Sequence, residues 1–342
     1  MPFFVSIALA LVLTWAARRL GLATGLVDRP PAPEPDGDGP PAPEHLKIHT
    51  VPVPVLGGLG VVAAVLGALL VAGADLPALA ILGVVMATAI GLVDDARPQP
   101  ASVRVVALAV AGVPIAVGLP LGELGPPARV GVVVLLLLLA NAVNLIDGQD
   151  GLAGGLGAIA SVGLAAVIAA NGAAPVLALA VAGALVGFLA WNLPPARVFL
   201  GNGGAYGLGA LLTVLAAQAT IGHGWHGLLA AALCLGVFAF ELSFTVVRRL
   251  VGSQGLAVGD RRHSYDLLGR SRGNRDRSTL ALWTLGAVSA GAGYASDQVS
   301  LAAAATMLGV AFVIGTAAGG RLWRDAVALT DTPQSTQSTE RG

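Results

Sequence analysis

Eleven runs of mostly apolar residues, each about the 17 to 25 residues a helix needs to cross a bilayer, fill most of the chain: 3–18, 54–73, 76–93, 102–120, 129–146, 152–170, 174–191, 203–221, 225–247, 279–296 and 300–318. Such a chain has few ways to fold. In hydrocarbon the backbone N–H and C=O groups must be satisfied within each segment, which points to bundled helices. Of its 342 residues 56% are apolar and only 11% charged, too little polar surface to clothe a soluble core. The expected fold class is all-α, a polytopic integral membrane protein of about eleven transmembrane helices. Its 47 Gly and 21 Pro suit spans that pack through small residues and break where a cavity requires it. A formal net charge of zero gives no case for a nucleic-acid partner, and the single Cys234 excludes an internal disulfide. The first run is followed by Arg18 and Arg19 rather than preceded by them, so it reads as a retained span and not a signal peptide.

Successive connections must alternate between the two membrane faces. The loops after the odd-numbered runs carry 18 of the 19 Lys and Arg, all but Arg129. By the positive-inside rule that face is cytoplasmic, with the N-terminus outside and the C-terminus inside. The expected organisation is a single transmembrane domain over residues 1–328 and a flexible polar tail over 329–342. Two cytoplasmic insertions interrupt it: a Pro-, Gly- and acid-rich stretch at 30–44, expected to be disordered, and a basic loop at 248–278.

Five unusual stretches obey the same parity: "HTVPVPVLGG" (49–58), "GLVDD" (91–95), "NAVNLIDGQDGLAGG" (141–155), "NLPPARVFLGNGG" (192–204) and the segment from Arg248 to His263. All five belong on the cytoplasmic face, which describes one composite site. Asp94 and Asp95 end an apolar run, where adjacent carboxylates repel and lose hydration unless a cation is near; a salt bridge to Arg97 is the plainer explanation. Asn141, Asn144, Asp147 and Asp150 recur every third residue and so drift slowly around one helix face. Carboxylate and carboxamide oxygens without neighbouring His or Cys favour Mg²⁺ over zinc, with Mn²⁺ as a substitute, and Mg²⁺ commonly accompanies phosphate. Arg261 and Arg262, in the basic segment, could bind a pyrophosphate or lipid phosphate as well as anchor the loop at anionic lipid.

In these five stretches, covering nearly the whole chain, the sequence resembles the polyprenyl-phosphate N-acetylhexosamine-1-phosphate transferases. The resemblance implies transfer of a sugar 1-phosphate from a UDP-sugar to polyprenyl phosphate, with release of UMP and a requirement for Mg²⁺. It would be the first membrane step of a cell-wall or surface glycan, at the cytoplasmic face of a bacterial inner membrane. It also implies roles. Asp94 and Asp95 match an acidic pair associated with the metal–pyrophosphate region and with deprotonating the lipid phosphate, and Asp147 matches an essential acid near the metal. Asp150, Asn192 and Phe199 match positions that hold uridine, Asn144 belongs to the same substrate-binding stretch, and His263 matches a His that contacts phosphate. Two departures stand out. Asn202 occupies the place of a metal-binding Asp, and a His-x-His-His loop survives as His263-Ser264-Tyr265-Asp266. The expected metal set is therefore Asp94, Asp95, Asp147 and Asn202, the last without charge. Relatives are commonly dimers, and small-residue spans permit a homodimer. The competing readings are a weakened relative that binds UDP-sugar or lipid phosphate without turnover, and a transporter; acids at span ends rather than at mid-membrane argue against the transporter.

Overall fold

The computed structural model describes residues 1–30, 51–121, 125–251, 262–272 and 275–330. Helix α1 (Pro2–Thr24) leads to a two-residue strand β1 (Val27–Asp28), which pairs antiparallel with β2 (Val53–Pro54). This ribbon is a small departure from the expected all-helical fold. There follow α2 (Gly57–Val71), α3 (Ala78–Ala96), α4 (Ala101–Gly118), α5 (Gly125–Ile146), α6 (Leu152–Ala170), α7 (Val176–Asn192) and α8 (Gly201–Thr220). The rest of the chain forms α9 (Gly224–Cys234), α10 (Gly236–Val251), α11 (Ser264–Arg272), α12 (Arg275–Asp297) and α13 (Leu301–Thr330).

Each apolar run of the sequence is helical, and six helices are long and apolar enough to cross a membrane: α1, α3, α4, α5, α6 and residues 301–321 of α13. Helices α2 and α7 are apolar but shorter. The ninth run, expected to be continuous, is broken: α9 and α10 meet at 68° and together would make a seventh crossing. At the break, a Cβ on Gly236 would stand 2.5 Å from the Ser289 hydroxyl, so glycine is what lets α10 turn against α12. The basic loop expected over 248–278 also holds structure. Helix α11 and the first turn of α12 lie within it, polar because they serve the site rather than the hydrocarbon. The expected disordered stretch, apart from Pro30, and the tail beyond Thr330 lie outside the described residues.

Helix α4 shows how the bundle meets its surroundings. Val103, Val106, Val110, Val113 and Val117 recur at helical spacing and are exposed, while Leu108, Ala111 and Ile115 behind them are buried. An outward stripe of valine is unfavourable in water and neutral against lipid. Helix α8 is the opposite case, buried along nearly its whole length and packed by α2, α3, α5, α6 and α9. Small residues permit this. A Cβ on Gly58 would stand 1.9 Å from Gly204 Cα, and one on Gly91 2.1 Å from the Asn202 carbonyl oxygen, so α2 and α3 cross the start of α8 nearly backbone to backbone.

Candidate active site at the start of helix α8

The N-terminus of α8 is where the unusual stretches meet. Gly201 takes φ +74° with no room for a side chain, since a Cβ there would stand 2.1 Å from the Val55 carbonyl oxygen. The turn aims the first amides of α8 outward. The Asp95 carboxylate, at the end of α3, accepts hydrogen bonds from Asn202 N at 2.9 Å and Gly203 N at 3.0 Å. An anion held by the free amides of a helix start is stabilised by those donors and by the helix dipole. Asp147, one residue beyond α5, comes to the same place: burial first, then the charge of Asp95, hold its carboxyl well above the usual carboxylate range, while the Gly201 amide opposes the shift.

Asp94 faces elsewhere and is fully engaged. Its Oδ1 accepts from Gln99 N at 2.7 Å, and its Oδ2 accepts from Arg104 Nη1 at 3.2 Å, Asn202 Nδ2 at 3.0 Å and the Tyr206 hydroxyl at 3.4 Å. Asn202 is a relay, taking a hydrogen bond from Asn144 Nδ2 on its oxygen and passing one to Asp94. The amide orientation is dictated by the neighbours, because the reverse would face its oxygen to a carboxylate. Asp94 is thereby surrounded by donors, one of them cationic, and Asn202 bonds through both its oxygen and its nitrogen. The expected Arg97 bridge is replaced by Arg104, one turn into α4. Asp95 and Asp147 remain as the pair of hard oxygen donors that could hold a divalent cation. Among the described residues no cluster of three His, Cys, Asp or Glu side chains does so, and two carboxylates are what Mg²⁺ takes when waters and phosphate oxygens complete its shell.

The loops after α5 and α7 are laced together beside this pair. Ala196 N donates to Asp150 Oδ2 at 2.9 Å. Asn192 is buried, its Oδ1 accepting from Gly151 N at 3.0 Å and its Nδ2 donating to Val198 O at 2.9 Å. The oxygen and the nitrogen of the amide each hold backbone, so Asn192 braces the loops where the uridine pocket is expected. Half-buried Phe199 is fixed through its backbone, which bonds Pro54 O at 2.8 Å and Gly57 N at 3.0 Å. Asn141 stands apart, exposed and bonded to its own helix at Leu137 O, so the polar series contributes three members rather than four.

His263 is buried beside the Asp147 loop, its ring stacked on Tyr265 at 5.3 Å between centroids, and the Tyr265 hydroxyl donates to Leu145 O at 3.0 Å. Arg262 is exposed next to it, and Arg261 lies outside the described residues. The residues that sequence reasoning missed are Arg104, Tyr206 and Glu241. Glu241 carried a usable signal, as the lone carboxylate in an apolar run; Tyr206 carried none.

Residues 77–220 match the family described as glycosyl transferase family 4. Among curated proteins, the chain is 28% identical over 306 residues to the "Probable undecaprenyl-phosphate N-acetylglucosaminyl 1-phosphate transferase" of Bacillus subtilis, an alignment covering 84% of this chain and 81% of that protein. Across the segment that holds the candidate site, the chain is thus similar to glycosyl transferase family 4, and over most of its length to a polyprenyl-phosphate N-acetylhexosamine-1-phosphate transferase. Other transferases are matched over shorter lengths. The undecaprenyl-phosphate alpha-N-acetylglucosaminyl 1-phosphate transferase of Thermotoga maritima is 33% identical over 41% of this chain and 43% of its own. The phospho-N-acetylmuramoyl-pentapeptide-transferase of a Synechococcus is 45% identical over 30% of this chain and 31% of its own. The family match runs from the residue before α3 to the end of α8 and so contains Asp94, Asp95, Asn144, Asp147, Asp150, Asn192, Phe199 and Asn202.

Proposed function

We propose that the protein transfers a sugar 1-phosphate from a UDP-sugar to polyprenyl phosphate, releasing UMP, at the membrane where a cell-wall or surface glycan begins. The observation that carries this is the meeting of Asp95 and Asp147 at the amide-rich start of α8, at one end of an apolar bundle. A soluble nucleotide and a lipid headgroup can both reach such a place. In the reaction an oxygen of the lipid phosphate bonds to the β-phosphorus of the nucleotide sugar. The bond from that phosphorus to the bridging oxygen breaks, and UMP leaves with the bridging oxygen.

Mg²⁺ would be held by Asp95 and Asp147 and would neutralise charge developing on the pyrophosphate. The protein's own part is orientation. The amides of Asn202 and Gly203 fix Asp95, the Asp150–Ala196 and Asn192–Gly151 bonds hold the nucleotide loops, and Phe199 offers a half-buried ring beside them. Asp94 accepts four hydrogen bonds. Its role is to hold Arg104 and Asn202 in place rather than to deprotonate the acceptor, whose phosphate is already charged at neutral pH. Our topology has eleven crossings with α9 and α10 as one broken span, the N-terminus outside and the site cytoplasmic; the one-sided distribution of Lys and Arg supports it.

The test is UMP release by purified protein supplied with polyprenyl phosphate, Mg²⁺ and a panel of UDP-N-acetylhexosamines. Turnover with one donor is expected, and silence across the panel would rule the reading out. Asn202 favours one alternative, a binder without turnover; that reading predicts UDP-sugar binding with no UMP from any donor.

A further inference from the structure

The least expected charge in the molecule is Glu241, 1% exposed in the middle of α10. It does not lie alone. Its Oε1 accepts from His263 Nδ1 at 2.9 Å, from Ser264 N at 3.3 Å and from the Thr245 hydroxyl at 3.3 Å, and its Oε2 accepts from the Ser264 hydroxyl. A carboxylate costs several kcal/mol to bury in so apolar a setting, and this one is offset by four donors: Thr245, one turn along α10, and three on His263 and Ser264 at the beginning of the nine-residue α11. The opposite side of that turn is fixed as well. The Tyr265 ring lies flat on the His263 ring, 5° from parallel, with its hydroxyl on Leu145 O, two residues before Asp147. Gly148 has no side chain where that hydroxyl sits, since a Cβ there would be 2.1 Å away.

The imidazole is thus held by one nitrogen and one face. Nδ1 lies 2.9 Å from Glu241 Oε1 and 3.3 Å from the Thr245 hydroxyl, which itself donates to Glu241, and among the described residues Nε2 has no hydrogen bond. We propose that Glu241 is a positioning residue: it keeps the proton of His263 on Nδ1 and the ring in one orientation, so that Nε2 is the nitrogen presented to a phosphate group of the substrate. This rests on the transferase reading for its phosphate, but not for its geometry. A carboxylate on the remote nitrogen of a histidine sets its tautomer and strengthens the other nitrogen as a partner.

The test uses the full chain in detergent or lipid discs. E241A and H263A should each lower kcat for UMP release, by similar factors of about tenfold or more, with KM for the UDP-sugar nearly unchanged. The double variant should be no slower than H263A, because the two residues act as one unit. E241Q, which keeps an acceptor for Nδ1–H without the charge, should recover part of kcat, and its remaining defect should vanish in the H263A background. A merely structural Glu241 would instead give losses that add in the double variant, and that result, or a normal kcat in E241A, would overturn the proposal. Nitrogen-labelled histidine spectra give a readout independent of turnover, with the His263 signal identified by its loss in H263A. The proton should sit on Nδ1 in the wild type and move to Nε2 in E241A. If the wild type releases no UMP, the transferase reading falls and these spectra alone decide: an Nδ1 proton unmoved in E241A refutes the role of Glu241. Should E241A fail to fold, E241Q carries the kinetic arm, in which a defect that persists in the H263A background would overturn the proposal.

Discussion

Asn202 donates its side-chain N–H to Asp94 Oδ2 at 3.0 Å, joining the start of α8 to the end of α3. The residue that stands where the resemblance leads one to expect an aspartate is therefore a working part of this arrangement. An aspartate at 202 would face Asp94 with no proton to share and would break the relay from Asn144. Replacing a buried hydrogen bond by a repulsive contact costs about 1–3 kcal/mol. N202D is thus expected to lower UMP release by roughly five- to hundredfold rather than restore a missing activity, and a large gain in kcat would show that the native site is short of a ligand.

Asp95 and Asp147 are expected site acids brought to one place at the start of α8. D95N and D147N should each reduce turnover by about a hundredfold or more, as loss of a charged group at a phosphoryl-transfer centre does, with membrane insertion unchanged. D95N carries the sharper expectation, because both its oxygens accept from backbone amides of α8, and an amide nitrogen cannot accept. Turnover within twofold of the wild type in either variant, measured at saturating substrates, would remove that residue from the site.

Burial and the neighbouring charge of Asp95 raise the Asp147 carboxyl well above its usual range, so proton and cation compete for it. A raised value means that the acid form persists to higher pH and must lose its proton when a metal binds. The concentration of Mg²⁺ giving half-maximal activity should fall as pH rises and rise as pH falls. A Mg²⁺ requirement independent of pH would show that Asp147 is not a ligand.

Gly58 and Gly204 touch with no space for a methyl group. G58A must push α2 away from α8, and overpacking of a close crossing costs about 1–3 kcal/mol. A lowered melting temperature in detergent is expected, with a loss of activity because Gly57 and Gly58 also bond the Phe199 and Leu200 carbonyls at 3.0 and 2.9 Å. Unchanged melting would mean that the crossing is looser than described.

Much of this protein was legible in its residues alone. Hydropathy is a sum over neighbours in the chain, so the apolar runs located the helices, and the parity of charged loops gathered Asp94, Asp95, Asp147, Asp150 and His263 at one end before any fold was known. What a local sum cannot contain is a partner. Asp95 meets an amide 107 residues away, and Gln149 meets Ser278 across 129. Those pairings depend on how closely glycine lets α2 and α3 approach α8. Only the packed bundle could pair Asp94 with Arg104 rather than Arg97, tie Gly151 to Val198 through Asn192, break the ninth run at Gly236 and bring Glu241 beneath His263. Residue type sets which helices form and which end is polar; the depth and angle at which they cross decide which oxygen faces which donor.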